Sequence, residues 1–280
     1  MRKLIINADD LGMSDEQNRQ ILECINLGVI SSSTLMANGP CFEEGVRIAK
    51  HNPQISIGVH LNIIEFAPLT NVNVFRKHGM LDEKGLFIEG AAFLVPMDED
   101  LKQAIFEEWD AQISRIENAG IVPSHCDSHE HIHTRIELED VLCRLLDKHH
   151  IRRVRRRIVP SIRLMILAKH QPLSVHYDKS KAEKGKRRGV IYRRLSLFVV
   201  KFRSWQWNRQ MSKRYILTNE FYSFRDFYSF GNILHLGGKS SVVELMCHPG
   251  NKPFQKETDK LMAPQSWMKD NFKVINYNQL

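Results

Sequence analysis

Apolar strand-like runs alternate with helical patterns along most of this chain, and its acidic and imidazole side chains fall where those runs end. LIINA (4–8) reads as a buried strand. A helix follows from about Asp15 to Leu27, with Ser14 and Gln17 spaced like a capping box and Gly28 as the stop. STLMANG (33–39) is a second strand, followed by a helix from Phe42 to His51, and ISIGVHLNI (55–63) is a third strand. A helix over 98–118 ends at Gly120, VPSHCDSH (122–129) is a fourth strand, and Ile136 to His149 is again helical. RRVRR (152–156) has the make-up of a short strand, and VVELMCHP (242–249) and FKVINY (272–277) supply the last two. The stretch from Glu65 to Met97, rich in Pro, Gly and Asn, predicts a long loop suited to a substrate-binding rim. Such alternation predicts right-handed βαβ units around a parallel sheet, open or closed into a barrel, with ligands at the carboxyl ends of the strands.

At 280 residues the chain can bury a substantial core as one large α/β domain or two small ones. No apolar stretch approaches the ~20 residues needed to span a bilayer. The start, MRKLIINADD, is too short in its apolar run for a signal-peptide core. Five scattered cysteines without a C-x-x-C pair argue against a disulfide framework or a thiolate zinc site and point to a reducing cytoplasm.

Four strand ends carry the chemistry. Asp9 and Asp10 end the first, His60 lies near the end of the third, His125, Asp127 and His129 end the fourth, and His248 ends a late one. In HCDSHEHIH, the residues His125, Asp127, His129, His131 and His133 stand at a spacing of two, which in a regular strand puts all five on one face. They cannot share one ion, because five such positions span about 26 Å and ligand atoms sit about 2 Å from a metal. Spacing alone does not say which of them ligate. Asp and His without Cys suit a catalytic ion with open positions, and a neighbouring carboxylate can take a proton from water. Adjacent Asp9 and Asp10 reach one site only if the strand turns at its end. The plainer readings are a turn pair for Asp9–Asp10 and a satisfied core histidine for His60. Cys126 and Cys247 neighbour rim-facing histidines and so predict core packing rather than a nucleophile.

With NADDLG, GVHLN, DSHEHIH and CHPG in that order, the sequence resembles the YdjC-like carbohydrate deacetylases over essentially its whole length, Leu4 to Leu280. The resemblance implies one domain, a distorted (β/α) barrel of parallel strands, and removal of N-acetyl groups from sugars. It implies Asp10, His60 and His129 as ligands of one divalent ion, Asp9 as general base, and His248 as general acid or oxyanion-side residue. His125, Asp127 and His131 are left for the substrate or for holding ligands, with Asp127 expected to orient a ligand imidazole. The resemblance favours magnesium, whereas one Asp and two His suit zinc by ligand softness. The ligand set does not fix the bond broken, so another metal hydrolase or a sugar isomerase is the rival reading.

The net charge of +8 is uneven. Between Lys148 and Arg214 stand 21 Lys and Arg against Asp178 and Glu183, a balance of +19, which leaves −11 for the rest. This basic, largely helical insertion (about 148–214) reads first as a solvated hairpin on the barrel. RLSLFVVKFRSWQW within it interleaves basic with apolar and aromatic residues, as a segment meeting an anionic membrane surface does. A binding protein acting through this segment is a further alternative. Nothing else matches a nucleic-acid module, so no nucleic-acid partner is expected; the substrate is the expected partner, and a homodimer is compatible with the sequence.

Overall fold

In the computed structural model, residues 1–158, 190–230, 241–263 and 271–280 are described. Seven parallel strands form one sheet: β1 (Arg2–Leu11), β2 (Ser32–Leu35), β3 (Ser56–Leu61), β4 (Cys126–Ser128), β5 (Glu220–Ser223), β6 (Val242–Cys247) and β7 (Phe272–Val274). The order is β4-β3-β2-β1-β6-β5. β6 takes Lys3–Ala8 of β1, while β7 pairs with β1 at Arg2–Leu4 and β2 with its later residues, from Asn7 on. The sheet curls into a half-barrel with helices outside it, the α/β architecture that the alternation predicts.

The open side is spanned by Arg152–Arg155. Cys126 bridges Val154 and Arg153 bridges Ile216, both in parallel sense, and the chain then runs into β5. This is the RRVRR strand of the sequence reduced to single bridges, and it delivers Arg155 to the interior. β5 itself has no counterpart among the expected strands.

The α-helices among the described residues are α1 (Asp15–Asn26), α2 (Phe42–His51), α3 (Val72–Lys77), α4 (Ala91–Leu94), α5 (Glu99–Asn118), α6 (Glu139–Lys148), α7 (Val190–Met211), α8 (Phe224–Phe230) and α9 (Gln255–Met262). The Ser14 hydroxyl accepts from the Gln17 amide at 3.2 Å, and Asp98 caps Leu101 at 2.9 Å; each cap satisfies an amide left without a helical partner. α3 and α4 lie inside the 65–97 stretch, which is therefore not wholly loop. Of the basic insertion, 159–189 lie outside the described residues.

The two faces of β1 differ. Leu4, Ile6 and Ala8 join the main apolar core with Ile105, Trp109 and Ile113 of α5, whereas Ile5 packs with Val242, Ile275 and Tyr277. Each fully buried aliphatic side chain contributes about 1.5–3 kcal/mol. Asn7, Asp9, Thr34, His60, Asp127 and Glu244 are all buried and are joined by hydrogen bonds and ion pairs. The barrel interior is thus polar. Gly58 permits part of this: a Cβ there would lie 2.5 Å from His125 Cε1 and 2.7 Å from its carbonyl oxygen.

Candidate active site

β1 loses its register between Ala8 and Leu11, and Asp10 adopts φ 69°. A non-glycine residue at positive φ costs roughly 1–2 kcal/mol, and Asp tolerates it better than most. The irregularity re-aims the chain as a bulge does, so that both neighbouring carboxylates reach the interior.

Asp10 faces two imidazoles. Its Oδ1 lies 3.2 Å from His60 Nε2 and 3.0 Å from His129 Nδ1, and Gln17 Nε2 donates to Oδ2 at 3.3 Å. Ligand atoms of Asp10, His60 and His129 lie within 4.8 Å of one another. On the other side of its ring, His60 Nδ1 lies 2.7 Å from Asp127 Oδ1. That contact fixes the ring and leaves Nε2 facing Asp10. His60 Nε2 is buried 3.2 Å from Asp10 Oδ1 and is the ring nitrogen from which a cation bound beside Asp10 would displace the proton. His129 Nε2 lies 3.7 Å from Glu65 Oε1.

Asp9 reaches the same interior, with a carboxylate oxygen within 4.8 Å of ligand atoms of His60 and Asp127. Arg155 grips it through both terminal nitrogens, at 2.6 Å and 2.7 Å, and Asn7 Nδ2 donates to Oδ1 at 2.9 Å. The same guanidinium lies 2.6 Å from Asp127 Oδ2 and 2.7 Å from Glu244 Oε1. One arginine therefore serves three buried carboxylates, and Asp10 adds a fourth. The donor set and this excess of negative charge fit a divalent cation beside Asp10.

The titrations follow from these contacts. Burial resists ionisation of Asp9, but the charge and hydrogen bonds of Arg155 outweigh it and hold the carboxyl below the usual range. Burial likewise opposes Asp10, which His129 and His60 pull well down. Burial disfavours charge on both imidazoles, yet Asp127 and Asp10 raise His60 to about 9, and Asp10 and Glu65 raise His129 to about 10. The field at this point favours positive charge.

His248 stands at the end of β6 and stacks on Phe254 with centroids 4.5 Å apart. Its amide donates to Glu257 Oε1 at 2.7 Å, and its Nδ1 lies 3.4 Å from the same oxygen. Burial disfavours the imidazolium, but Glu257, Asp9 and Asp10 raise its pKa on balance. Gly250 holds the turn that follows against α1, where a Cβ would lie 2.7 Å from the Glu16 carbonyl oxygen.

The histidine run departs from the regular strand of the sequence reading. β4 ends at Ser128, and residues 129–134 turn tightly, with φ 50° at Glu130 and 59° at His131. The five side chains therefore do not share one face. His129 turns to Asp10. His131 packs edge-on against Phe221 at 5.5 Å, with Nδ1 unpartnered, and burial with the Arg155 charge lowers it to about 3. His133 turns inward, with Nδ1 2.5 Å from Ser128 Oγ and Nε2 3.2 Å from the Arg155 carbonyl oxygen. His125 stacks on Tyr277 at 3.6 Å and bonds to Ser124, fully enclosed and away from the open end of the barrel.

Asp9, Asp10, His60, Asp127 and His129 are thus brought together, whereas His125 is not. Arg155, Glu244 and Glu257 are additional members that the sequence reading did not single out. For Glu244 a signal existed: a carboxylate inside the apolar run VVELMC needs a buried partner.

The family model of YdjC-like proteins matches residues 3–277. The chain belongs to the YdjC-like family. Among curated relatives, a carbohydrate deacetylase of Halalkalibacterium halodurans is 34% identical over 52% of this chain and 61% of its own length. A carbohydrate deacetylase of Vibrio cholerae is 34% identical over 53% and 57%, and one of Geobacillus stearothermophilus is 34% identical over 54% and 58%. The matched region therefore spans less than two thirds of these relatives. A solved Enterococcus faecalis protein named for cellobiose-phosphate cleavage superposes with a TM-score of 0.69 at 20% identity, covering 99% of this chain and 98% of its own. That likeness carries the fold. In this YdjC-like chain the site lies at the carboxyl ends of β1, β3 and β4, where a parallel barrel presents its ligands.

Proposed function

We propose that this chain is a metal-dependent hydrolase that removes acetyl groups from N-acetylated carbohydrates, amino sugars or their oligosaccharides. The observation that carries the reading is the convergence of Asp10, His60 and His129 beside the tethered carboxylate of Asp9. The shared naming of the curated relatives supports the substrate class. Asp10, His60 and His129 would hold one divalent ion, with Asp127 fixing the His60 ring. Bound there, such an ion supplies Lewis-acid polarisation of an acyl oxygen and acidifies a water. The family resemblance favours magnesium, and the donor set is one that zinc also uses.

The chain's own groups divide the proton work. Asp9 stays ionised because Arg155 holds both its oxygens, so it is available to take a proton from the attacking water. Its low pKa makes it a weak base, which suits a water that is already acidified. His248, whose positive form Glu257 favours, is the group to protonate the leaving amine. Direct attack by water needs no covalent intermediate, and the buried Cys126 and Cys247, their thiols pushed far up by burial, take no part.

Acetate release from a panel of N-acetylated amino sugars and oligosaccharides tests the reading. Release from at least one is expected. Turnover of phosphate esters or sugar isomers without acetate from any member would replace it with the rival reading.

A further inference from the structure

His60 and His129 both meet Asp10, and they do so through different ring nitrogens. His60 turns Nε2 to Asp10 Oδ1 and has Nδ1 2.7 Å from Asp127. His129 is reversed: Nδ1 lies 3.0 Å from the same Asp10 oxygen, and Nε2 faces Glu65 Oε1 at 3.7 Å. The rings meet edge-to-face with centroids 5.6 Å apart. Each imidazole therefore stands between Asp10 and a second carboxylate, one carried by β4 and the other by the loop after β3.

A loop glutamate supports a ring only if its loop is fixed, and this loop is fastened by buried amides. Asn62 Oδ1 accepts from the Ile64 and Glu65 amides at 2.8 Å and 3.2 Å, and Asn62 Nδ2 donates to the Glu65 carbonyl at 2.8 Å. Asn38, past the end of β2, donates to the Glu65 and Ala67 carbonyls at 3.2 Å and 3.1 Å. Gln112 of α5 holds both backbone groups of Asn62, at 2.9 Å and 2.6 Å. Glu108, one turn earlier on α5 and fully buried, accepts from Gln112, from the Leu69 and Thr70 amides and from the Thr70 hydroxyl. Burying a carboxylate is costly unless its oxygens are bonded, and here the loop supplies most of the donors. Phe66, directly after Glu65, adopts φ 64°. A bulky residue in the left-handed region is strained, and such strain persists where the surroundings over-determine the backbone, as at ligand clamps.

We propose that Glu65 is the positioning residue of His129, turning its Nδ1 to the ion as Asp127 turns Nε2 of His60, and that the Asn38–Asn62–Gln112–Glu108 network exists to hold Glu65 there. At 3.7 Å the contact is an ion-pair approach rather than a hydrogen bond, and the Glu65 side chain, 35% exposed, keeps the freedom to close on the ring. With Nδ1 toward the ion, the ring hydrogen of His129 sits on Nε2 and points at Glu65; that of His60 sits on Nδ1 and points at Asp127. The two ligand imidazoles are then opposite tautomers. This role rests on the metal half of the deacetylase reading and on nothing about the sugar. Glu65 also borders the stretch expected to form the substrate rim, so direct contact with substrate is the competing role.

The test is calorimetric titration of zinc into the metal-stripped full chain, native and as Glu65→Ala, Asn38→Ala and the double variant. Nitrogen NMR of the zinc-loaded native protein locates the ring hydrogens, and urea midpoints of the stripped proteins report folding. Glu65→Ala binds zinc about tenfold or more weakly. Asn38→Ala weakens binding in the same direction, and the double variant is no weaker than Glu65→Ala, because Asn38 acts through Glu65. The ring hydrogen of His129 is found on Nε2. Unchanged zinc affinity in Glu65→Ala overturns the proposal, and a raised KM in that variant then assigns Glu65 to the substrate. A His129 ring hydrogen on Nδ1 overturns it too. So do losses that add in the double variant, since the network then reaches the site without Glu65. If Asn38→Ala does not fold, Glu65→Ala and the ring hydrogen decide. A native chain that binds no zinc overturns this role together with the metal reading. Zinc binding that weakens in Glu65→Ala, with no acetate from any sugar, keeps the role and rejects the acetamide substrate.

Discussion

Asp9 and Arg155 stand 146 residues apart and meet as a fork, with the guanidinium nitrogens 2.6 Å and 2.7 Å from the two carboxylate oxygens. Both side chains are buried. Within a polar barrel the pair fixes where the negative charge of Asp9 points and keeps it ionised.

Removing the cation leaves Asp9, Asp127 and Glu244 together without a counter-charge. Arg155→Met is expected to destabilise the fold by about 3–5 kcal/mol, as loss of one partner from a buried ion pair does. Arg155→Lys recovers only part, since an ammonium cannot span both oxygens. Urea denaturation measures both, and a loss below that of an ordinary surface substitution would contradict the clamp.

The pair also sets an acid dependence. The folded pKa of Asp9 lies below its unfolded value of ~3.9, so its contribution is fully present above that pH and fades as pH falls towards the folded value. Stability of the native protein therefore drops on acidification below about pH 4, and Asp9→Asn flattens that drop. Thermal denaturation across this window tests it.

Asp9→Asn keeps the shape of the side chain and loses the proton acceptor. Acetate release is expected to fall by a factor of about 10² or more, with metal content of the purified protein retained. Undiminished turnover would remove Asp9 as the base.

In the proposed metal site Asp127 would act on the ion through His60. Asp127→Asn should weaken metal binding by about 10–100-fold, read by direct metal titration. Unchanged affinity would mean that the His60 ring is held by Thr34 alone, whose hydroxyl also lies 3.1 Å from Nδ1.

Glu257 favours the charged form of His248. A raised pKa extends to higher pH the range over which the proposed acid stays protonated, and its proton is lost as pH rises through that value. Glu257→Gln removes the stabilising charge, so the basic limb of the pH–rate profile should move to lower pH. A limb that stays in place would separate His248 from proton delivery.

Much of this architecture was legible because strand runs and helix caps are local signals. LIINA, ISIGVHL and VVELMC are strands where their composition places them, and Ser14 and Asp98 cap their helices. The site was legible only as far as strand ends could be located. The strict alternation from His125 to His133 mimics a long strand, but consecutive left-handed residues at Glu130 and His131 end it. No local rule predicts that, since neither is glycine. Arg155 was hidden differently. Among 21 basic residues it looks like one more solvated charge, and only the bridging of 152–155 between β4 and Ile216 turns it inward. Glu257 becomes visible only once α9 is laid against the His248 turn.

The central claim is a divalent ion at Asp10, His60 and His129 on which hydrolysis of an acetamide depends. Its most direct test is acetate release from an N-acetylated sugar by protein stripped of metal and then restored with magnesium or zinc. The account predicts loss of release on stripping, recovery with one of the two ions, and no recovery in Asp10→Ala. Full acetate release by the stripped protein would contradict it.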